Sequence, residues 1–258
     1  MIYPLLPLFL SSVLGANASF IGAIEGFAES TAALLKLFSG WWSDKVGKRK
    51  PLVVLGYGLA SFARPFTAIA QTATQVLAIR VTDRVGKGLR SSPRDALLAD
   101  SVDPSQRGRA FGFHAAADNA GAVVGPLIAF ALIKWGGLSL RSVFWVAAIP
   151  AIIAFIVLVV AVKEDKSSIP QKSDKTAKPQ FGGNLGKKFW AYLVVLFLFT
   201  LGNSTDAFLL LRANDLGISI ALAPIVWAFL NLVKSSTGVL GGALSDRVGR
   251  KPLIVGGW

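Results

Sequence analysis

The chain has 258 residues, of which 53% are hydrophobic and 16% charged, and it carries a net charge of +13. A soluble domain has about 25% charged residues, so this chain has too few charges to cover a soluble globule and too many apolar residues for one core. The absence of cysteine excludes a disulfide scaffold and a thiolate metal site, and the single histidine argues against a histidine-rich metal centre. We therefore predict an all-α polytopic membrane protein without a metal or a cofactor.

Eight segments are long and apolar enough to be membrane helices, which need about 20 residues each. The predicted spans are 2–16, 20–42, 51–70, 75–100, 109–133, 142–162, 189–211 and 217–242. Segment 163–188 is rich in Lys, Ser, Pro and Gly and cannot bury enough apolar area to fold alone, so it is predicted to be a linker. The expected domains are an N-terminal six-helix bundle at 1–162, this linker, and a partial second bundle at 189–258.

Basic residues are distributed unevenly between the loops. The loops after the second, fourth, sixth and eighth spans hold sixteen Lys and Arg residues, whereas the opposite loops hold three. Because basic loops stay on the cytoplasmic side, the N-terminus and linker 163–188 are predicted to be cytoplasmic in a multi-pass protein of the cell (inner) membrane. Topology explains much of the positive charge, so the lipid bilayer is the expected partner and no nucleic acid is predicted.

Two segments about 202 residues apart repeat each other, each directly after the second span of its half. The repeated positions are Gly40, Asp44, Lys45, Gly47, Lys48 and Arg49 in the first copy and Gly242, Asp246, Arg247, Gly249 and Arg250 in the second. The first glycine of each copy allows close helix packing, and the second permits a sharp turn. The carboxylate at the membrane edge can meet an arginine or a helix N-terminus. The repeat therefore indicates two similar halves.

These segments resemble the loop motif of the major facilitator superfamily, G-x-x-x-D-[RK]-x-G-[RK]-[RK], and the resemblance covers the whole chain. The glycine-rich fifth span is similar to the fifth-helix motif of the family's antiporters, although Ala129-Phe130 replaces the usual Gly-Gly; close helix packing alone is the alternative explanation. The matching residues are Gly112, Gly121, Gly125 and Pro126. In the fourth span, Arg80, Gly86 and Gly88 resemble the pattern R-x-x-x-G-x-G, with Arg84 in place of its first glycine.

The resemblance implies the major facilitator fold, in which two six-helix bundles surround a central cavity, and secondary active transport by alternating access. A drug/proton antiporter-like chain of this length would be C-terminally truncated, with a complete first bundle and helices seven, eight and the start of nine. In the family, the first loop aspartate forms a cytoplasmic gate with a basic motif residue and an acid at the end of helix four. Asp44, Lys48 and Asp100 match those positions.

Ionisable residues inside the spans are candidates for substrate or proton binding, because charges are costly in a membrane. Glu25 and Glu29 lie four residues apart on one helix face, where neighbouring carboxylates raise each other's pKa and suit proton exchange. A structural ion pair is the alternative. His114 and Asp118 have the same spacing and could exchange a proton near neutral pH, or simply hold the fifth span in place.

The fourth span carries a basic stripe at helical spacing, which includes Arg80 and Arg84. This stripe suits an anionic substrate, or it pairs with acids of the bundle such as Asp83. Three hypotheses remain: proton-coupled efflux of a small solute, an anion-specific importer or exchanger that uses helix four, and an inactive fragment of a transporter. The sequence lacks H-E-x-x-H, G-x-S-x-G and a phosphate-binding loop, so no enzyme is predicted.

Overall fold

The computed structural model describes residues 2–103, 106–162, 186–202, 205–233 and 236. These residues form helices and their connections, which confirms the all-α fold. The helices are α1 Tyr3–Val13, α2 Ala18–Val46, α3 Lys50–Ala63, α4 Ala73–Asp100, α5 Arg107–Lys134, α6 Leu140–Ala161, α7 Gly186–Leu201, α8 Ala207–Asp215 and α9 Ile220–Val233. Residues 163–185 of the predicted linker and the second loop motif, with Gly242, Asp246, Arg247, Gly249 and Arg250, lie outside the described residues.

The boundaries of the two longest N-terminal helices follow from local capping. Helix α2 begins where the Asn17 side chain accepts a hydrogen bond of 2.8 Å from the backbone N–H of Phe20. It ends at Gly47, whose φ of 68° is a conformation that glycine adopts without steric cost. Helix α4 begins with a capping box at Thr72. With 29 and 28 residues, each helix is about 42 Å long and exceeds the roughly 30 Å hydrocarbon core of a bilayer.

Helix α4 packs closely against α2 on one side and α3 on the other, and glycines make this possible. A Cβ atom added to Gly86 would lie 2.5 Å from the carbonyl oxygen of Gly56, and one added to Gly88 would lie 2.6 Å from the Cβ atom of Leu35. The Ser39 hydroxyl donates a hydrogen bond of 2.8 Å to the carbonyl oxygen of Gly88. The glycines of the fourth span therefore allow the helix backbones to approach each other.

Helix α1 lies in the apolar core and packs against helices from both the N-terminal and the C-terminal parts of the described chain. Phe9 is fully buried and meets Phe144 of α6 edge to face, with 5.2 Å between the ring centroids. On another face of α1, Leu8 packs with Leu210 of α8 and Ala223 of α9. The burial of these side chains holds the C-terminal helices against the N-terminal bundle.

Three predicted spans differ from the observed helices. Helix α1 is shorter than 2–16. Helix α3 ends at Ala63 and the 3-10 turn Arg64–Ala68 follows, because Pro65 lacks the backbone donor that would continue the α-helix. The prediction of one continuous span over 189–211 is wrong. Helix α7 ends at Leu201, the N–H of Gly202 donates to the carbonyl oxygen of Phe199 in a tight turn, and α8 begins at Ala207. Glycine favours this interruption because it has no side chain to pack and a large conformational freedom.

Among the described residues, two helices, Ala110–Lys134 and Leu140–Ala161, are long and apolar enough to cross a membrane by length and composition. Helix α2 has sufficient length but carries charges, and the structure buries Glu25, which is 6% exposed, between helices. The outer side of α2 instead exposes large apolar side chains, including Phe27 and Leu34 at 65% and 69%. Apolar side chains outside and charges inside are the arrangement expected for helices surrounded by lipid.

Candidate functional site

Arg80 of α4 and Glu25 of α2 form a buried ion pair. The Arg80 Nη2 atom lies 2.9 Å from each carboxylate oxygen of Glu25, and its Nε atom lies 3.1 Å from Oε1. The two residues are 9% and 6% exposed. A guanidinium and a carboxylate that share several charge-assisted hydrogen bonds are held more strongly, and in a more defined geometry, than a pair that shares one. Two residues that the sequence selected separately thus act as one unit.

Asp83 extends this pair into a network of three helices. Its carboxylate accepts a hydrogen bond of 2.8 Å from the Nε atom of Arg64 and a longer one of 3.5 Å from the Nη1 atom of Arg80. Arg64 lies on the 3-10 turn after α3, and Asp83 is 3% exposed. The sequence indicated Asp83 only as an acid that could pair with the basic stripe, and Arg64 only as a weaker candidate of the same kind. The available signal was the i,i+3 spacing between Arg80 and Asp83, whereas the position of Arg64 depends on the turn at Pro65.

A second acid, Glu29, pairs with two other basic side chains of α4. Its carboxylate lies 3.0 Å from the Nη2 atom of Arg84 and 3.4 Å from the Nζ atom of Lys87. Glu25 and Glu29 therefore each pair with basic residues, which is the alternative that the sequence left open for them. Arg84 is 8% exposed, and its Nε atom is buried without a hydrogen-bond partner. This unsatisfied donor is unusual, because most buried polar groups have a partner.

The ion network forms part of the wall of a cavity of about 520 Å³, within the usual size range of small-molecule sites. Its charged lining in the described part of the chain consists of Arg64, Arg80, Asp83 and Arg84. The ring of Tyr3, which also lines the cavity, has its centroid 5.1 Å from the guanidinium carbon of Arg80. The basic stripe of α4 therefore pairs with acids of the bundle and also faces a cavity. The two interpretations of the stripe, structural ion pairs and an anion-binding surface, are thus compatible.

Helix α5 also contributes glycines to the cavity wall. Gly121 and Gly125 line it, and Pro126 lies within the same helix. A Cβ atom added to Gly112 or Gly121 would meet nothing within 4 Å. The close helix packing suggested for these two positions is therefore absent among the described residues, although Gly121 leaves space beside the cavity.

The His114 and Asp118 side chains lie together on α5 but away from the ion network. The Nδ1 atom of His114 is 3.8 Å from a carboxylate oxygen of Asp118, and the side chains are 28% and 68% exposed. Neither residue lines the cavity of about 520 Å³. The predicted i,i+4 contact is present, and Asp118 is exposed at the helix surface.

The first loop motif brings two acids to one arginine. Arg49 pairs with Asp100 at the end of α4, and its Nη2 atom lies 3.7 Å from Asp44. The expectation that Lys48 supplies this basic group is wrong. Helix α2 ends in the left-handed turn at Gly47, and Arg49 then occupies the N-cap of α3, which places its side chain between the ends of α2 and α4.

The remaining motif residues have structural contacts. A Cβ atom added to Gly40 would lie 3.3 Å from the Cβ atom of Ser92, so this glycine allows α2 to approach α4. The Nζ atom of Lys45 lies 5.0 Å from the centroid of the Trp41 ring, within the range of a cation–π interaction. The motif thus combines close packing, a turn and a charge cluster, as its residue types predicted.

A helical bundle with a charged cavity and an apolar exterior is typical of a polytopic membrane protein. The chain belongs to the Major Facilitator Superfamily, whose family model matches residues 1–258. It is therefore an integral membrane protein of a transporter family, and the predicted fold is confirmed.

Three comparisons describe what the chain is similar to. It is 31% identical, over its whole length and 65% of the relative, to an uncharacterised MFS-type transporter of Methanocaldococcus jannaschii. It is 26% identical to the quinolone resistance protein NorA of Staphylococcus aureus, over 77% of the chain and 50% of NorA. The crystal structure of a bacterial homolog of the human lysosomal transporter Spinster, in an inward-facing and occupied conformation, shares the fold with a TM-score of 0.71 and 21% identity; the match covers 97% of this chain and 58% of that one. The chain thus spans less than two thirds of these relatives.

Proposed function

We propose that this protein transports a small solute across the cell (inner) membrane by alternating access, in proton-coupled efflux. The observation that carries the proposal is the buried Glu25–Arg80 ion pair, which joins α2 to α4 at the cavity wall. Carboxylates buried in membrane helices are costly and commonly serve proton or ion pathways. The similarity to NorA, a quinolone resistance protein, supports the outward direction.

Glu25 is the proposed proton acceptor because its protonation would disrupt fewer ion pairs than protonation of Asp83. Glu25 contacts Arg80, whereas Asp83 contacts both Arg80 and Arg64. A proton on Glu25 would remove the closer of the two carboxylate charges beside Arg80 and leave Arg80 with Asp83 at 3.5 Å, which is costly for a buried charge. The α2–α4 contact and the charge of the cavity wall would then change together. Proton binding and solute binding would therefore influence each other's affinity, as linkage requires.

The proposed orientation places the N-terminus and linker 163–188 in the cytoplasm. The excess of basic residues in the loops on that side supports it. In this orientation, the Arg49 cluster with Asp44 and Asp100 lies at the cytoplasmic end of the bundle, where it would hold α2 and α4 together in one state and release them in another.

Transport in inside-out membrane vesicles tests the function directly. With a quinolone as the solute, an imposed proton gradient is expected to drive uptake by the wild type. Glu25→Gln preserves the size of the side chain and removes the titratable group, so gradient-driven uptake should fall at least tenfold. Asp118→Asn is the matched control and should stay within twofold of the wild type, because Asp118 lies outside the cavity lining. Equal uptake by Glu25→Gln and the wild type would contradict the assignment of Glu25.

A further inference from the structure

We propose that Arg84 forms an anion subsite in the cavity, which binds the carboxylate group of a solute with an apolar body. This inference rests on the proposed transport function and specifies the chemical class of its substrate. Arg84 stands where the similar family pattern has a glycine. It therefore adds a guanidinium group to the cavity wall that the pattern itself does not supply.

The hydrogen bonds of Arg84 leave one donor available. Its Nη2 atom contacts Glu29 at 3.0 Å, but its Nε atom is buried without a partner. Its side chain is 10% exposed and lines the cavity. A buried donor without a partner costs about 1–3 kcal/mol, and more when it is charged. Because Arg84 lines the cavity, an oxyanion there would meet its guanidinium group, and guanidinium groups suit carboxylates in both charge and geometry.

The charges around the cavity favour an anion with one negative charge. The cavity-lining residues Arg64, Arg80, Asp83 and Arg84 include three arginines and one aspartate. Glu25, Glu29 and Lys87, which complete the ion network, bring it to four basic and three acidic side chains. One positive charge thus remains, which a monocarboxylate would balance and a phosphate dianion would exceed.

The rest of the cavity suits an apolar body attached to this carboxylate. Ile79, Val124 and Ile128 line it together with the charged residues. Its volume of about 520 Å³ accommodates a molecule with two aromatic rings. We therefore expect preference for an aromatic monocarboxylate over its neutral amide.

The test measures binding to the purified protein in detergent, without any gradient, by titration calorimetry. The probe is 1-naphthoate, and 1-naphthamide is the neutral analogue of nearly the same shape. The wild type should bind 1-naphthoate at least tenfold more tightly than 1-naphthamide. Arg84→Gln should abolish this preference, whereas Arg84→Lys should retain part of it because the positive charge remains.

Lys87→Gln is the matched control for Arg84→Gln. Both substitutions remove one positive charge and one contact with Glu29, but Arg84 lines the cavity and Lys87 does not. Lys87→Gln removes the same charge but leaves the Arg84 guanidinium group at the cavity, so it should keep most of the carboxylate preference and lose less of it than Arg84→Gln. Loss of the preference in Lys87→Gln to the same extent would overturn the subsite, as would equal affinity of the wild type for both probes.

Two further outcomes test the monocarboxylate assignment and distinguish the anion subsite from the proposed transport function. Tighter binding of 1-naphthyl phosphate than of 1-naphthoate would overturn the monocarboxylate assignment. Carboxylate preference in a protein that shows no proton-driven transport would support the subsite and contradict the transport proposal. If Arg84→Gln fails to fold, the comparison of the two probes on the wild type and on Arg84→Lys still decides the question.

Discussion

Replacing Arg80 with glutamine is expected to lower the free energy of unfolding by about 3–5 kcal/mol, the range for breaking a buried ion pair. The substitution leaves Glu25 without its guanidinium partner at 6% exposure and removes one of the two contacts of Asp83. The measurement is unfolding of the purified protein in mixed micelles by titration with a denaturing detergent. Solute transport should be lost as well, because Arg80 lines the cavity.

Compensating substitutions identify the cause of this loss. In the double variant Glu25→Gln with Arg80→Gln, both charges of the pair are absent, so much of the lost stability should return. Lys87→Gln serves as the comparison, since Lys87 is 42% exposed and its loss should cost less than about 1 kcal/mol. A destabilisation by Arg80→Gln no larger than that of Lys87→Gln would show that the network does not hold the bundle together.

Gly86→Ala is expected to destabilise the protein by about 2–3 kcal/mol through overpacking between α3 and α4. The added Cβ atom would lie 2.5 Å from the carbonyl oxygen of Gly56 and 3.2 Å from the backbone nitrogen of Ala60. Both are backbone atoms, so no side-chain rotation relieves the clash and the helices must separate. The same micelle unfolding experiment measures the effect.

Gly112→Ala is the matched control, because it makes the same change within α5 but meets nothing within 4 Å. Alanine is a better helix former than glycine by about 1 kcal/mol, so this variant should be as stable as the wild type or slightly more stable. Destabilisation of similar size in both variants would mean that helix backbone effects, and not the contact of α4 with α3, account for the loss.

Much of the N-terminal fold could be predicted from the sequence, because long apolar segments and their caps are local features. Helices α4, α5 and α6 begin and end within about two residues of their predicted spans. The break after α7 was not predicted, although the polar run 203–206 follows Gly202, because the apolar segments on both sides together reach the length of one membrane span. Whether a single glycine interrupts a helix depends on the packing around it.

The sequence could predict which residues belong to the candidate site, but not which of them form ion pairs with each other. The sequence selected Glu25, Arg80 and Arg84 because charges within apolar spans are costly. It could not assign Asp83 to Arg64, since that contact depends on the angle between α4 and the turn after α3. Likewise, Arg49 rather than Lys48 meets Asp100 because the left-handed turn at Gly47 sets the direction of the following residues.

The burial of the ion network has a functional explanation as well as a structural one. Buried ion pairs contribute less to stability than apolar packing of the same volume, because both charges lose their hydration. Their presence at the cavity wall, where the chain could have used leucine or valine, therefore favours a role that requires charge. A change of protonation at Glu25 would alter the pairing of Arg80 at the point where α2 meets α4.

Proton release on solute binding is the most direct test of coupling through Glu25. The purified protein is mixed with a saturating solute in weakly buffered detergent solution, and a pH indicator records the protons that are released. The wild type should release protons when the solute binds, and Glu25→Gln, which still binds the solute, should release none. Equal release by both proteins would contradict the account, because the coupling proton would then reside on another group.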